Sequence, residues 1–155
     1  MPNATQKACI SKIERFPSIL ERLVNKLSIK QLTTEYVKGK WTVTQNIHHL
    51  VDAHNNKFSL IRQILTENNP TLQEFKEEKW AELPDGKHKD ISYSLLILEG
   101  LHKRVVILLR ELNSKQWKLA GKHSHFGDVS IEQIVESFST HGERHIKQIK
   151  KTLRD

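Results

Sequence analysis

The amino-acid sequence predicts an all-α fold, a four-helix bundle with a long connection between its second and third helices. Three observations lead there. Apolar residues recur at steps of three and four in four long stretches, the period of a helix with one buried face. Two of those stretches are preceded by a hydroxyl residue with a glutamine three positions on, the form of a capping box. Six Gly and four Pro in 155 residues are too little turn punctuation for an all-β chain.

The first helix is expected from about Lys7 to Leu27, with Ile13, Phe16, Leu20, Leu23, Val24 and Leu27 on its buried face and Pro17 as an interruption or kink. Lys38-Gly39-Lys40 reads as a loop. Thr42-Val43-Thr44-Gln45 opens the second helix, which runs to about Glu67 on a stripe of Val43, Ile47, Leu50, Val51, Phe58, Ile61 and Leu65. Asn68-Asn69-Pro70 stops it. Residues 71 to 91 form the long connection, with one helical turn expected between Glu74 and Trp80 and a turn at Pro84-Asp85-Gly86. The third helix spans about Ser92 to Leu112, and Asn113 to Asp128 is irregular with a short turn near Gln116. Ser130-Ile131-Glu132-Gln133 opens the last helix, which continues to about Thr152. No β-strand, internal repeat or low-complexity tract is expected.

The length suits a single domain over residues 1–155. The formal charge of +7 raises nucleic acid or an acidic membrane as partners. However, the cations are interleaved with acids, and only Lys147, Lys150, Lys151 and Arg154 cluster, at the end of a helix whose dipole favours them. Neither nucleic acid nor a membrane is therefore an expected partner. Cys9 is the only cysteine, so no internal disulfide forms, and a packing role is expected for it. The first residues lack the pattern of a secretory signal and no apolar run approaches a bilayer span, which makes the cytoplasm the expected compartment.

Nine histidines are more than packing needs, and their placement says more than their number. Ile134, Phe138, His141, His145 and Ile149 step by four, three, four and four, so two imidazoles stand on the buried stripe of the last helix. Unpartnered polar rings there are costly, and a divalent cation held by both lone pairs removes the cost. Core histidines bonded to backbone or water are the competing reading. A third ligand has to come from another helix. The second helix offers His48, His49 and His54: by wheel position His54 falls near mid-stripe, His49 at the edge of a weaker strip with Ala53, Leu60 and Ile64, and His48 points away. Spacing alone favours His54 without deciding the matter.

Gly39-Lys40-Trp41-Thr42-Val43-Thr44-Gln45, followed by His49-Leu50-Val51-Asp52, resembles the G-x-W-[ST]-x-x-[EQ]-x-x-x-H-L-x-D signature of the DinB superfamily. The branch it resembles is the YfiT-like metal-dependent hydrolases, relatives of the bacillithiol transferases. The resemblance continues through Leu65-Thr66-Glu67, Pro70, Trp80 to Leu83, Leu101 to Arg104 and Leu108 to Arg110, and ends at His141 to Ile149. It implies that His49, directly before Leu50, joins His141 and His145 as ligands of one divalent metal ion, zinc or nickel, and leaves His54 in the core. It further implies hydrolysis of a small-molecule substrate or transfer of a low-molecular-weight thiol, and a homodimer. A non-catalytic, stress-linked metal-binding bundle is the alternative.

The sequence departs from its relatives at Thr140, Arg144 and Gln148, and around His123 and His125, positions that bear on the substrate pocket rather than the ligands. Glu143 superficially suits the general base of a zinc protease, but by wheel position it faces solvent. Asp52 is expected to orient a ligand or, better, to cap part of the bundle. No nucleophile elbow, phosphate-binding loop or dinucleotide fingerprint is present.

Overall fold

The computed structural model describes residues 1–153; Arg154, grouped above with the basic tail, lies outside them. Four long helices form the bundle: α1 (Ala4–Val24), α3 (Val43–Thr66), α5 (Ser92–Glu111) and α6 (Ile131–Thr152). Two short ones, α2 (Ile29–Thr33) and α4 (Glu77–Ala81), lie in the connections. Both expected capping boxes are present, Thr42 with Gln45 and Ser130 with Gln133. Two more open α1 (Asn3 with Gln6) and α2 (Ser28 with Gln31). The Asn3 box starts α1 three residues earlier than periodicity suggests, because a polar side chain rather than an apolar repeat sets that end. Pro17 lies inside α1, whose helix continues through it.

α1 packs on α5 and α6, and α3 packs on the same two helices, so α1 and α3 face one another across the bundle diagonal. Of the consecutive long helices only α3 and α5 pack closely together, so the connections from α1 to α3 and from α5 to α6 cross an end of the bundle. α2 and α4 ride on the outside of α3. As a result, every residue of α3 from Val43 to Leu50 is buried, polar ones included.

The expectation of no strand is corrected. β1 (Thr71–Leu72), β2 (Ala120–His123) and β3 (Gly127–Ser130) form a small sheet, with β1 parallel and β3 antiparallel to β2. These strands have two to four residues and no apolar alternation, so no period exists to detect. Gly127, with φ of +69°, turns the hairpin. Gly121 lets Pro70 and Leu72 approach β2 closely, since a Cβ there would stand 2.7 Å from the Leu72 side chain. The sheet closes the long connection against the start of α6.

The core comes in two apolar clusters. One holds Ile10, Ile13, Phe58, Ile61, Val105, Leu109 and Phe138; the other holds Phe16, Leu20, Ile47, Leu50, Leu98, Ile146 and Ile149. Cys9 packs against the first, as a small apolar group. On three helices the change of cluster is marked by histidine: His54 between Leu50 and Phe58, His102 between Leu98 and Val105, and His141 with His145 between Phe138 and Ile146. A layer of imidazoles thus divides the bundle. No helix among the described residues is long and apolar enough to cross a membrane.

Candidate metal centre

α3 and α6 supply the cluster. His141 and His145 stand one turn apart on α6, and His49 faces them from α3. One ring nitrogen from each lies within 4.8 Å of the other two. Ring centroids are 5.3 Å apart for His49–His141, 4.8 Å for His49–His145 and 4.6 Å for His141–His145. Three nitrogens around a tetrahedral zinc sit about 3.3 Å from one another, so small side-chain rotations close the triangle.

Hydrogen bonds fix which nitrogen faces inward. The Asn46 amide nitrogen donates to the Thr42 carbonyl (2.9 Å), which turns its Oδ1 toward His145 Nδ1 at 2.8 Å. An amide oxygen only accepts, so His145 carries its proton on Nδ1 and keeps the Nε2 lone pair. His141 is likewise engaged at Nδ1, 3.2 Å from His54 Nε2. Neither ring nitrogen of His49 has a hydrogen-bond partner among the described residues. The Trp41 indole covers the cluster, with ring centroids 4.7 Å from His49 and 6.4 Å from His145.

Burial keeps these rings neutral. Desolvation first, then the neighbouring imidazoles and Lys57, lower His49 to about 3 and His141 to about 2; desolvation and Arg144 lower His145 to about 4. At neutral pH all three are unprotonated lone-pair donors, the form a divalent metal requires. The donor set fits such an ion: three neutral imidazoles from two rigid helices, one of them with both nitrogens free of protein partners.

His54, which the wheel favoured, is fully buried but spent: Nδ1 meets His102 Nε2 at 2.9 Å and Nε2 meets His141. His48 is tied to the Ser94 hydroxyl and the His88 carbonyl. Asp52 is half-buried, and desolvation with Asp85 nearby raises its carboxyl to about 6; it makes no hydrogen bond to the cluster. Glu143 is exposed and pairs with Lys12 of α1 at 3.3 Å, which leaves it without a role as a base. His123 and His125 meet Glu74 at 2.8 and 3.3 Å, away from the three histidines.

Sequence reasoning missed Asn46, Trp41 as a cover, Lys57 and His102. Asn46 was findable, since it precedes His49 by three and so shares its face. Lys57 lines a cleft of about 630 Å³ between α3, the sheet and α6, with Leu60, Phe75, Phe126, Ile134 and Ser137. This cleft begins one helical turn from the cluster: Ala53 and Ser137 line it, four residues from His49 and His141. Phe75 on its wall is 6.3 Å from the His49 ring. Desolvation lowers the Lys57 ammonium, with Glu77 opposing and Arg144 adding to the shift. No carboxylate among the described residues comes within ion-pair distance of it. A larger cavity of about 710 Å³, between α1 and α5, touches none of the three histidines.

Known proteins resemble this chain in sequence and fold. The chain is 41% identical over 140 residues, 90% of its length and 80% of the relative's, to proteins of Bacillus cereus (strain 03BB102) and Bacillus thuringiensis subsp. konkukian (strain 97-27). A protein of Bacillus mycoides (strain KBAB4) is 40% identical over the same span. All three carry names that assign them provisionally as metal-dependent hydrolases. YfiT from Bacillus subtilis, described in the same provisional terms and as having an unusual four-helix bundle topology, superposes with a TM-score of 0.93. That match has 33% identity and covers 99% of this chain and 89% of the other. The sequence profile of the DinB superfamily matches residues 12–149, and the chain belongs to that superfamily.

Proposed function

We propose that the chain is a divalent-metal-dependent hydrolase of small-molecule substrates, with one zinc or nickel ion held by His49, His141 and His145. The observation that carries this reading is the convergence of three neutral imidazoles beside a cleft large enough for a small molecule. The names of the relatives support it. Three protein ligands leave coordination positions for a reactant, as in catalytic rather than closed structural sites. A metal bound there supplies Lewis acidity to a nucleophile or an electrophile brought against it.

The chain's own residues do the rest. Asn46 holds His145 with its Nε2 lone pair inward. Trp41 shields one side of the cluster from water. Lys57, with Glu74, Glu77 and Asp128 on the same lining, offers polar contacts, and Phe75, Phe126, Leu60 and Ile134 take the apolar part of the substrate. Imidazole suits zinc and nickel alike, so both metals enter the test.

The test is to strip the protein, reload it with zinc or nickel, and assay small esters and amides of carboxylic acids, with and without a second carboxylate. Transfer of a low-molecular-weight thiol to an electrophile is measured in parallel. Metal-dependent hydrolysis that disappears in His49→Ala, and whose KM rises in Lys57→Gln with metal content unchanged, is the expected outcome. Turnover by the stripped protein or by His49→Ala overturns the reading. Thiol transfer alone, without hydrolysis, keeps the centre and replaces the reaction.

A further inference from the structure

His141 heads a line of three imidazoles that ends on a backbone carbonyl. His102 Nδ1 lies 2.6 Å from the Ile13 carbonyl oxygen, His102 Nε2 lies 2.9 Å from His54 Nδ1, and His54 Nε2 lies 3.2 Å from His141 Nδ1. We propose that His102 and His54 are positioning residues that act through His141: the line fixes its proton on Nδ1 and aims its Nε2 lone pair at the metal position. This rests on the ligand role given to His141 above.

The polarity follows from one end. A carbonyl oxygen only accepts, so His102 must donate from Nδ1. Its Nε2 is then a lone pair, and His54 must donate to it from Nδ1. The Nε2 of His54 is a lone pair in turn, and His141 must donate from Nδ1. Three imidazoles, three protons and three hydrogen bonds leave one unused lone pair, on His141 Nε2. No other arrangement of three neutral rings satisfies every contact.

The sequence of α1 provides the anchor. Inside a helix the Ile13 carbonyl would accept from the N–H of residue 17, but residue 17 is Pro and has none. That vacant acceptor is the one His102 fills. Pro17 on α1 therefore leaves an acceptor for a side chain on the neighbouring α5. His54 and His102 are 0% and 2% exposed. Phe16 and Phe138 enclose the two rings, with centroids 5.4 Å from each for Phe16 and 4.5 and 5.3 Å for Phe138. Both rings are enclosed away from water, and burial of this kind disfavours a second, charging proton on either. Phe16 reaches this position because residue 142 is Gly; a Cβ there would lie 2.3 Å from its ring. A metal-bound histidine usually donates its other N–H to a carboxylate, carbonyl or water; here two further rings carry that contact to a carbonyl.

The test uses the metal-free protein with 15N-labelled histidine, read by long-range nitrogen–proton correlation spectra at pH 7. Nδ1–H tautomers at His102, His54 and His141 are expected. In His102→Phe the His141 signals should show mixed tautomers, and affinity for cobalt(II), followed by its visible absorption, should fall about 10- to 100-fold. His102→Gln, which keeps a donor and an acceptor at that position, should recover part of the loss. An Nε2–H tautomer at His141 in the wild type overturns the proposal, and so does a His102→Phe variant with unchanged tautomer and affinity. If His102→Phe does not fold, the wild-type tautomers decide alone. Correct tautomers in a protein that binds no metal would keep the line of histidines and discard the metal centre instead.

Discussion

Two groups of buried histidine share the middle of this bundle, and they differ in what remains of each ring after the protein has used it. His54 and His102 are 0% and 2% exposed, hardly deeper than His49 at 2%, but both of their nitrogens are committed to protein partners. His49, His141 and His145 are committed at one nitrogen or none, and one ring nitrogen from each lies within 4.8 Å of the other two. Depth on the apolar stripe therefore does not separate the two groups. The unspent lone pair does. His54 satisfies the wheel better than His49, and for that reason packs among partners that consume it.

The difference is sharpest in metal content. His49→Ala should reduce bound zinc or nickel from about one ion per chain to below a tenth, measured by elemental analysis after dialysis. His54→Gln should retain the ion with weakened affinity. Loss from the second variant alone would reverse the two groups.

Acid should expose what the groups have in common. All five rings have pKa values depressed by burial, His102 and His145 to about 4 and His49 to about 3. The unfolded chain takes up protons near pH 6.5, whereas the native chain does not until far lower. The native advantage is thus intact above about pH 6.5 and is lost as pH falls through the window between 6.5 and about 4. The slope is at most about 1.4 kcal/mol per pH unit for each ring. Urea unfolding of metal-free protein should show a loss of several kcal/mol between pH 7 and pH 5, and a smaller loss in His102→Phe.

The packing that holds the two groups together is tested by Gly142→Ala. The added methyl meets Phe16, which lies against both His54 and His102. Overpacking of this kind costs about 1–3 kcal/mol, read as a lower thermal midpoint, and should weaken metal affinity with it. The smallest effect belongs to Ser130→Ala, which removes the α6 cap for about 1 kcal/mol. Because the cap lies nearly three turns before His141, metal content should not change; a change would mean that the centre depends on the whole helix rather than on local contacts.

How much of this was legible in the sequence depends on which residues signal by period. The four long helices were, because each carries an apolar repeat and two carry caps of hydroxyl and glutamine. β1 to β3 were not, because strands of two to four residues dock on the bundle through backbone pairing, which leaves no side-chain alternation. α2 was missed for its five-residue length. His141 and His145 were visible as intruders on a stripe. His49 was not separable from His54 by wheel position, since α3 is covered by α2, α4, α5 and α6 and has no exposed face over its first two turns. The signature resembling the DinB superfamily pointed to His49 where periodicity pointed elsewhere. His102 and Pro17 stand far apart in sequence, and only the folded chain shows that the second vacates the acceptor used by the first.

The central claim is that lone pairs from two helices meet on one cation, and X-ray absorption at the edge of bound zinc or nickel tests it most directly. Three imidazoles in the first coordination sphere of the wild type, and two after His49→Ala in whatever fraction still binds, is the predicted result. Two or fewer imidazoles in the wild type, or a count unaffected by His49→Ala, would contradict it.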